Sequence, residues 1–538
     1  MSGLDVMACR KVYNDRHQGG VSITHPWISR CDEGAPAPKQ DRQVVDKQAS
    51  AHVCGPTGTT NGVTNWIAED ELEIMVGKGV QAQCQLQLSV GRIRASGIWG
   101  WCDRSCYGRG HSWGKMNRMK RQIIVWILLL LGNGSRLAFG ELRAGAARVE
   151  ITPAASAHLP IWGYDDPPPR SEGVHDPLHV RALVFDDGKQ RAAIVSCEVL
   201  LIPNLLWQDA ARRISTEAGI PGDNLMLVAV HNHAGPVLET KSDDKTVMTP
   251  YAQTVVNGIV EAVLRASEKL KPARVGFDAG KADLNVNRRA RMAGGGYWIG
   301  VNPDGPSDKT VGVVKVEDLS GHAIAVVINY AVHCVMLGYM NREISADLAG
   351  ATSNFVEHQL GDPVVALWTS GAAGDQNPTQ LNLVSSDFDA VAAYGMYLGE
   401  EVVRIAQNVR SREPRHVQGM QRAVSCPGQQ VAPGNLPRDK YEFRDADPVP
   451  VRLSLLMIGN TVLAGVSGEP FTRVWQQLKT QAPFSHLLML THCNGTSGYL
   501  PDAAAYEQVS YEIATSHVKR GCAETSVVDG LLAMMDEY

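Results

Sequence analysis

The sequence has no long run of basic residues and no strong imbalance of charge: 51 Lys and Arg stand against 56 Asp and Glu, a formal net charge of −5. A protein that grips nucleic acid leaves a footprint of clustered cations, so its absence excludes nucleic acid as the expected partner. An apolar run long enough for an ordinary membrane span is also missing. The longest, Ile123 to Leu131, falls well short of the roughly 20 residues that a spanning helix needs. Cysteines are few in the larger part of the chain. Beyond residue 115 there are five, Cys197, Cys334, Cys426, Cys493 and Cys522, an odd number that gives no disulfide framework. Cys197 and Cys334 lie in apolar stretches and read as small core residues. One bridge among the other three is compatible with export. Internal repeats and low-complexity tracts are absent as well.

What is present begins with a boundary. Residues 116–140 have a basic start (Arg118, Lys120, Arg121), the apolar run, and small residues at Ala138 and Gly140. This is the pattern of a secretory signal peptide, with an uncleaved anchor as the alternative. Residues 1–115 differ from all that follows, with no sustained periodicity and many isolated Trp and Cys. They are expected to be a non-native upstream extension, unstructured and outside the folded protein. A cysteine-rich metal domain is the alternative, but Cys102 and Cys106 lack a second pair at zinc-finger spacing. Residues 141–538 are then the functional part of a secreted or periplasmic protein, or of one anchored through the signal segment.

From Leu142 the pattern is regular. Apolar strands (residues 143–153, 179–188, 191–202) precede an amphipathic helix (203–220) closed by Gly219, and "NLMLVAVHNH" reads as the next strand. A second helix covers 251–270, a strand pair is expected over 273–284, and the glycine- and proline-rich stretch 292–310 reads as a loop. Strand and helix then alternate again, which predicts an α/β fold with mixed, partly parallel sheets flanked by helices. Within it, "VHNH" places His231 and His233 at alternate positions at the end of an apolar strand, where side chains two apart share a face and can converge on one small object. Neutral imidazole suits zinc and similar ions. Other apolar strands end the same way: "AIAVVINYAVH" on His333, "VVALWTSGAAGDQN" before Asp375 and Asn377, and "TVLAGVSGE" on Glu469. Carboxyl ends of strands are where open α/β sheets bind ligands. The repeated delivery of His, Asp and Glu to such ends points to a hydrolytic metal site.

Eight segments carry a resemblance: "RVEITP", "GVHDPLHVRALVF", "VHNHAGP", "NVNRRA", "NPDGPSD", "ADLAG", "GAAGDQNP" and "SGEPF". In order and approximate spacing the chain resembles the catalytic domain of the neutral (neutral/alkaline, non-lysosomal) ceramidase family over about Arg148 to Glu512. The resemblance implies a secreted or membrane-associated zinc amidase that cleaves the N-acyl bond of ceramide. It assigns the Zn2+ ligands to His231, His333, Glu469 and Tyr499, an open set of the kind found in catalytic zinc sites. It makes His233 the proton-handling histidine, and it gives Arg288 and Tyr511 the substrate and the developing oxyanion. Such a zinc lowers the pKa of a water to about 7. The expected partner is a small-molecule or lipid acyl-amide, with contact to a membrane surface left open.

Two departures stand out. Asn377 occupies the place of an active-site serine in the family motif, and little chain follows Tyr511, so no C-terminal immunoglobulin-like domain is expected. Asn377 is expected to donate through its amide in place of the serine. The alternatives are a secreted non-catalytic lipid- or glycan-binding relative of the same scaffold, and an amidohydrolase barrel. The barrel places its H-x-H on the first strand, whereas several strands precede His231.

Overall fold

Alternation along the first strands decides the layering. In β1 (Arg143–Glu150), Ala147 and Val149 face one way, Ala144 and Ala146 the other, and both sets are buried. The same division holds in β2 (His179–Asp186) and β3 (Arg191–Cys197). A sheet with two apolar faces must be covered on both. One face receives α1 (Asn204–Ala218), which buries Trp207, Ala210 and Ile214, and α2 (Pro250–Glu268), which buries Val255, Ile259 and Val263. Between these helices runs β4 (Leu225–Ala229), every residue of it buried. α1 ends at Gly219 with φ 67°, a left-handed cap that a residue without Cβ adopts at little cost.

The structure is a computed structural model, and it describes residues 141–161, 168–242, 245–380, 387–414, 416–432 and 441–538. The signal segment 116–140 and the upstream stretch 1–115 lie outside the described residues.

The chain continues through β5 (Lys271–Lys281), β6 (Asn285–Arg291), β7 (Tyr297–Asn302), β8 (Thr310–Asp318), β9 (Ala323–Tyr330), α3 (Asp347–Leu360), β10 (Val365–Ser370), β11 (Gln376–Pro378) and α4 (Phe388–Asn408). Among the described residues, eight strands form one mixed sheet in the order β10-β9-β8-β5-β1-β2-β3-β4. The pairs β3–β4 and β9–β10 are parallel. α3 and α4 cover the β9–β10 end with Val356, Leu398 and Val402.

A second sheet follows from β12 (Val417–Val431), β13 (Phe443–Ile458) and β14 (Thr461–Val466). After β15 (Glu469–Pro470) and α5 (Thr472–Gln481), β16 (His486–Leu490) joins it parallel to β14. The chain closes with β17 (Tyr499–Leu500), α6 (Tyr511–Thr515) and α7 (Asp529–Asp536). The two sheets meet face to face, with Phe185, Ile194, Met226 and Val228 packed among Leu456, Leu463 and Leu488. Beneath the second sheet, Val474 and Leu478 of α5 and Leu531 and Met535 of α7 complete a helix, sheet, sheet, helix stack. A disulfide joins Cys426 to Cys522, and Cys493 stays a buried free thiol.

Two sequence expectations are corrected and one element is added. The stretch 292–310 contains a strand, β7, paired to β6; Tyr297, Trp298 and Ile299 favour extended backbone more than the neighbouring glycines oppose it. The pair expected over 273–284 is the single strand β5. α4, whose apolar stripe Val391, Leu398, Val402 and Ile405 is buried, adds a helix beyond those expected.

Candidate metal centre

The carboxyl ends of β4, β9, β10, β14 and β16 lead to one place, where bridges between Val228 and Cys493 and between Asn232 and Cys334 tie their extensions together. At the end of β4 the chain does not continue as a strand: His231 is left-handed, with φ 64°. Holding a non-glycine residue there costs on the order of 1–3 kcal/mol, and Asn232 shows what fixes it. The Asn232 side chain, fully buried, donates to Ser345 O at 2.7 Å and accepts from the Ala234 amide at 2.9 Å. The two imidazoles converge because of this locked turn. His231 Nε2 lies 3.3 Å from His233 Nε2, with the rings at 82°.

Two imidazoles are held in a defined tautomer. His231 Nδ1 lies 2.9 Å from Leu200 O, and His333 Nδ1 lies 3.0 Å from Gln376 O. A carbonyl accepts only, so each Nδ1 carries the proton and each Nε2 keeps its lone pair. Both lone pairs are directed toward the Glu469 carboxylate, whose Oε2 is 3.5 Å from His231 Nε2 and 3.4 Å from His333 Nε2. His333 Nε2 and Glu469 Oε2 are buried and make no hydrogen bond. Buried polar atoms without partners cost about 1–3 kcal/mol each, so two of them facing each other fit a cation that both would hold. His231, His233 and His333 form one group whose donor atoms could share an ion, and His231, Glu469 and His492 form another.

Burial drives the electrostatics. It lowers the pKa of His231 and carries those of His233, His333 and His492 well below the ordinary value, with repulsion from neighbouring imidazoles adding to the effect at these three. All four rings are therefore neutral at neutral pH, the form a metal accepts. Burial also raises the pKa of Glu469, against the pull of His231 and Arg288.

β15 and β17 pair in parallel with Glu469 opposite Tyr499, which brings Tyr499 beside the carboxylate. Arg288, on β6, organises the other wall. Its Nε donates to Glu512 at 2.6 Å, Nη2 to the Tyr499 hydroxyl at 2.9 Å, and Nη1 to Asn377 Oδ1 at 3.3 Å. Burial acts to lower the Arg288 pKa, but Tyr499, Glu512 and Glu469 raise it overall, so the guanidinium is a fixed charge. Tyr511 stands edge-on to Tyr499, 6.0 Å between ring centroids.

All eight residues singled out in the sequence thus surround one centre. Two more belong beside them. His492 stacks on His231 with centroids 4.0 Å apart, and Glu512 neutralises Arg288. His492 carries the same signal as His333, a histidine just past an apolar strand; Glu512 has no signal in the sequence beyond its place next to Tyr511.

Fold and site together define a mixed α/β protein with a cluster of nitrogen and oxygen donors at its strand ends. Residues 142–389 match the model of the neutral/alkaline non-lysosomal ceramidase family, N-terminal part. Neutral ceramidase B of Dictyostelium discoideum is 29% identical over 263 residues, 44% of this chain and 35% of that protein. The neutral ceramidase of Pseudomonas aeruginosa is 24% identical over 369 residues, 64% of this chain and 52% of its own. The chain spans about a third to a half of the length of these relatives. Among solved structures, the neutral ceramidase from Pseudomonas aeruginosa has the same fold with TM-score 0.60 at 18% identity, covering 74% of this chain and 75% of that one. A ceramidase complexed with C2 aligns with TM-score 0.62 at 19% identity, covering 73% and 75%.

Proposed function

We propose that the chain is a zinc-dependent amidase that hydrolyses the N-acyl bond of ceramide or a related lipid acyl-amide. The observation that carries this reading is the convergence of two tautomer-locked imidazoles on a buried carboxylate oxygen without a hydrogen bond. His231, His333, Glu469 and Tyr499 would hold the ion, and a set of imidazole and oxygen donors suits catalytic zinc. An ion there supplies Lewis-acid chemistry, polarising an amide carbonyl and lowering the pKa of a water to about 7.

The chain's own residues do the rest. His233 is neutral before reaction, so it enters as a base, takes the proton of the attacking water, and returns it to the leaving amine nitrogen as the C–N bond breaks. Arg288 and Tyr511 face the same space and donate to the oxygen that gains charge. Asn377 spends its carbonyl on Arg288, which leaves its amide nitrogen as the end available to the substrate. This orientation supports a donor role in place of a serine hydroxyl.

A second reading, a non-catalytic relative that only binds the lipid, is favoured by that same asparagine. One experiment separates the two: turnover of a fluorogenic N-acyl-sphingosine and of a short-chain acyl-amide, with and without chelator, by the parent chain, Asn377→Ala and Asn377→Ser. The amidase reading expects chelator-sensitive turnover that falls by roughly 10² to 10³ in Asn377→Ala and survives in Asn377→Ser with preference shifted toward N-acyl-sphingosine. A parent without turnover whose Ser variant is active establishes the binding protein instead.

A further inference from the structure

His492 is the one imidazole at the centre that the proposed ligand set and proton transfer leave unused. It is buried, 4% exposed, and left-handed with φ 50°, the second non-glycine residue here held in that conformation. Its own peptide group ties together the two segments that carry His231 and Glu469. The His492 amide donates to Gly468 O at 3.2 Å, and its carbonyl accepts from the Ala229 amide at 3.3 Å. Its side chain repeats the connection, with the ring lying 16° from parallel over His231 at 4.0 Å and Nε2 4.0 Å from Glu469 Oε2.

The stacking bears on what His492 can do. An imidazole lone pair lies in the ring plane, and a zinc–nitrogen bond is about 2.0–2.1 Å long. The two rings lie 16° from parallel with centroids 4.0 Å apart, so their in-plane lone pairs run side by side rather than converging, an arrangement that suits contact between the rings better than shared coordination of one ion. The contact is with the groups that hold the ion. A ring laid flat on His231 opposes rotation of that ring out of the direction set by the Leu200 carbonyl. His492 Nε2 stands 4.0 Å from Glu469 Oε2, and in the tautomer that carries its proton on Nε2 it opposes rotation of the carboxylate away from the two lone pairs, across a gap of the kind that closes when a site is filled.

We propose that His492 is a positioning residue of the metal centre, orienting His231 by stacking and Glu469 through Nε2. The inference rests on the metal-dependent reading above. Its test uses the full chain, His492→Ala and His492→Phe, with three readouts: zinc affinity by chelator competition, the visible spectrum of the cobalt(II)-loaded protein, and the melting temperature of the metal-free protein. Outer partners of metal ligands are worth typically 10- to 100-fold in affinity. His492→Ala is expected to weaken zinc by about that factor. His492→Phe keeps a ring against His231 and loses the nitrogen, so it is expected to fall between Ala and parent without a change in melting temperature. Cobalt spectra are expected to keep the parent's band positions and intensities, because the ligand number is unchanged. If His492→Ala does not fold, His492→Phe carries the test alone. Parent-like zinc affinity in His492→Phe removes the role of Nε2, and a cobalt spectrum of changed ligand number makes His492 a ligand instead; either overturns the proposal. A parent chain that binds neither ion overturns the metal reading itself, and this inference with it.

Discussion

His231 and His233 are two residues apart in a turn whose left-handed first residue sends both rings to one space, yet their neighbours give them different work. His231 has its Nδ1 proton fixed on Leu200 O and its Nε2 facing Glu469; His233 approaches from the side, edge-on to His231. His231→Ala and His333→Ala are each expected to lose most bound zinc, since an open site with few strong ligands cannot spare one. His233→Ala is expected to keep its zinc and lose turnover by about 10² to 10⁴; metal analysis of the purified variants beside their activities checks the division, and zinc loss in His233→Ala would exchange the two assignments. The depressed imidazole pKa values add a pH expectation. A ring whose folded-state pKa lies below the ordinary value of about 6.5 contributes stability in full above that pH and loses it as pH falls through the depressed value. For the same reason His231 and His333 release fewer protons on binding metal near neutrality than ordinary imidazoles do. Proton competition from these two rings is expected to weaken zinc binding less between about pH 7.5 and 6 than the roughly tenfold that two unshifted imidazoles would cost. Affinity measured across that range decides it, and a tenfold loss would show that the rings titrate normally.

At the scale of elements, the ends of strands were easier to read than the turns that follow them. Apolar runs announced β4, β9, β10 and β14 because both faces of each are buried, and a polar residue just past such a run is conspicuous. His333 and Glu469 could be found that way, and so could His492, which was overshadowed by the tyrosines beyond it. Arg288 gave no such signal. It lies inside β6, in a strand whose partner β7 was hidden by glycine, and its place in the site depends on pairings of residues far apart in sequence, Asn287 with Gln376 and Val286 with Asn377. The disulfide was legible as a choice among three cysteines; the fold settles it by bringing β12 against the segment before α7, with Gly428 bridged to Val518. Cys426 and Cys522 close a loop of 96 residues, and a link of that span is worth on the order of 4 kcal/mol by its restriction of the unfolded chain. Cys426→Ser is accordingly expected to lower the denaturation free energy by about 2–4 kcal/mol while zinc binding persists in the folded fraction. An unchanged denaturation midpoint under oxidising conditions would mean that the bridge adds nothing to stability.

For the whole molecule, the proposed activity depends on which part of the chain folds around the site. Leu142, 1% exposed, packs in the layer between the two sheets, two residues beyond the expected end of the signal segment. The residues of the site are drawn from 231 to 512, and each is held by partners within 141–538. Among the described residues no helix is long and apolar enough to cross a membrane, and the short apolar run Ile123–Leu131 lies before them. These observations support an expectation at the molecular scale: a chain starting at Met116 should be exported and should match the full chain in zinc content, melting temperature and amidase activity. Processing provides an independent readout, because cleavage of a signal peptide after small residues predicts a mature N-terminus near Glu141, read by mass spectrometry of the secreted protein. Retention of residues 116–140 on membrane-bound protein would make the segment an anchor. Loss of soluble, active protein on removing residues 1–115 would make them part of the working molecule.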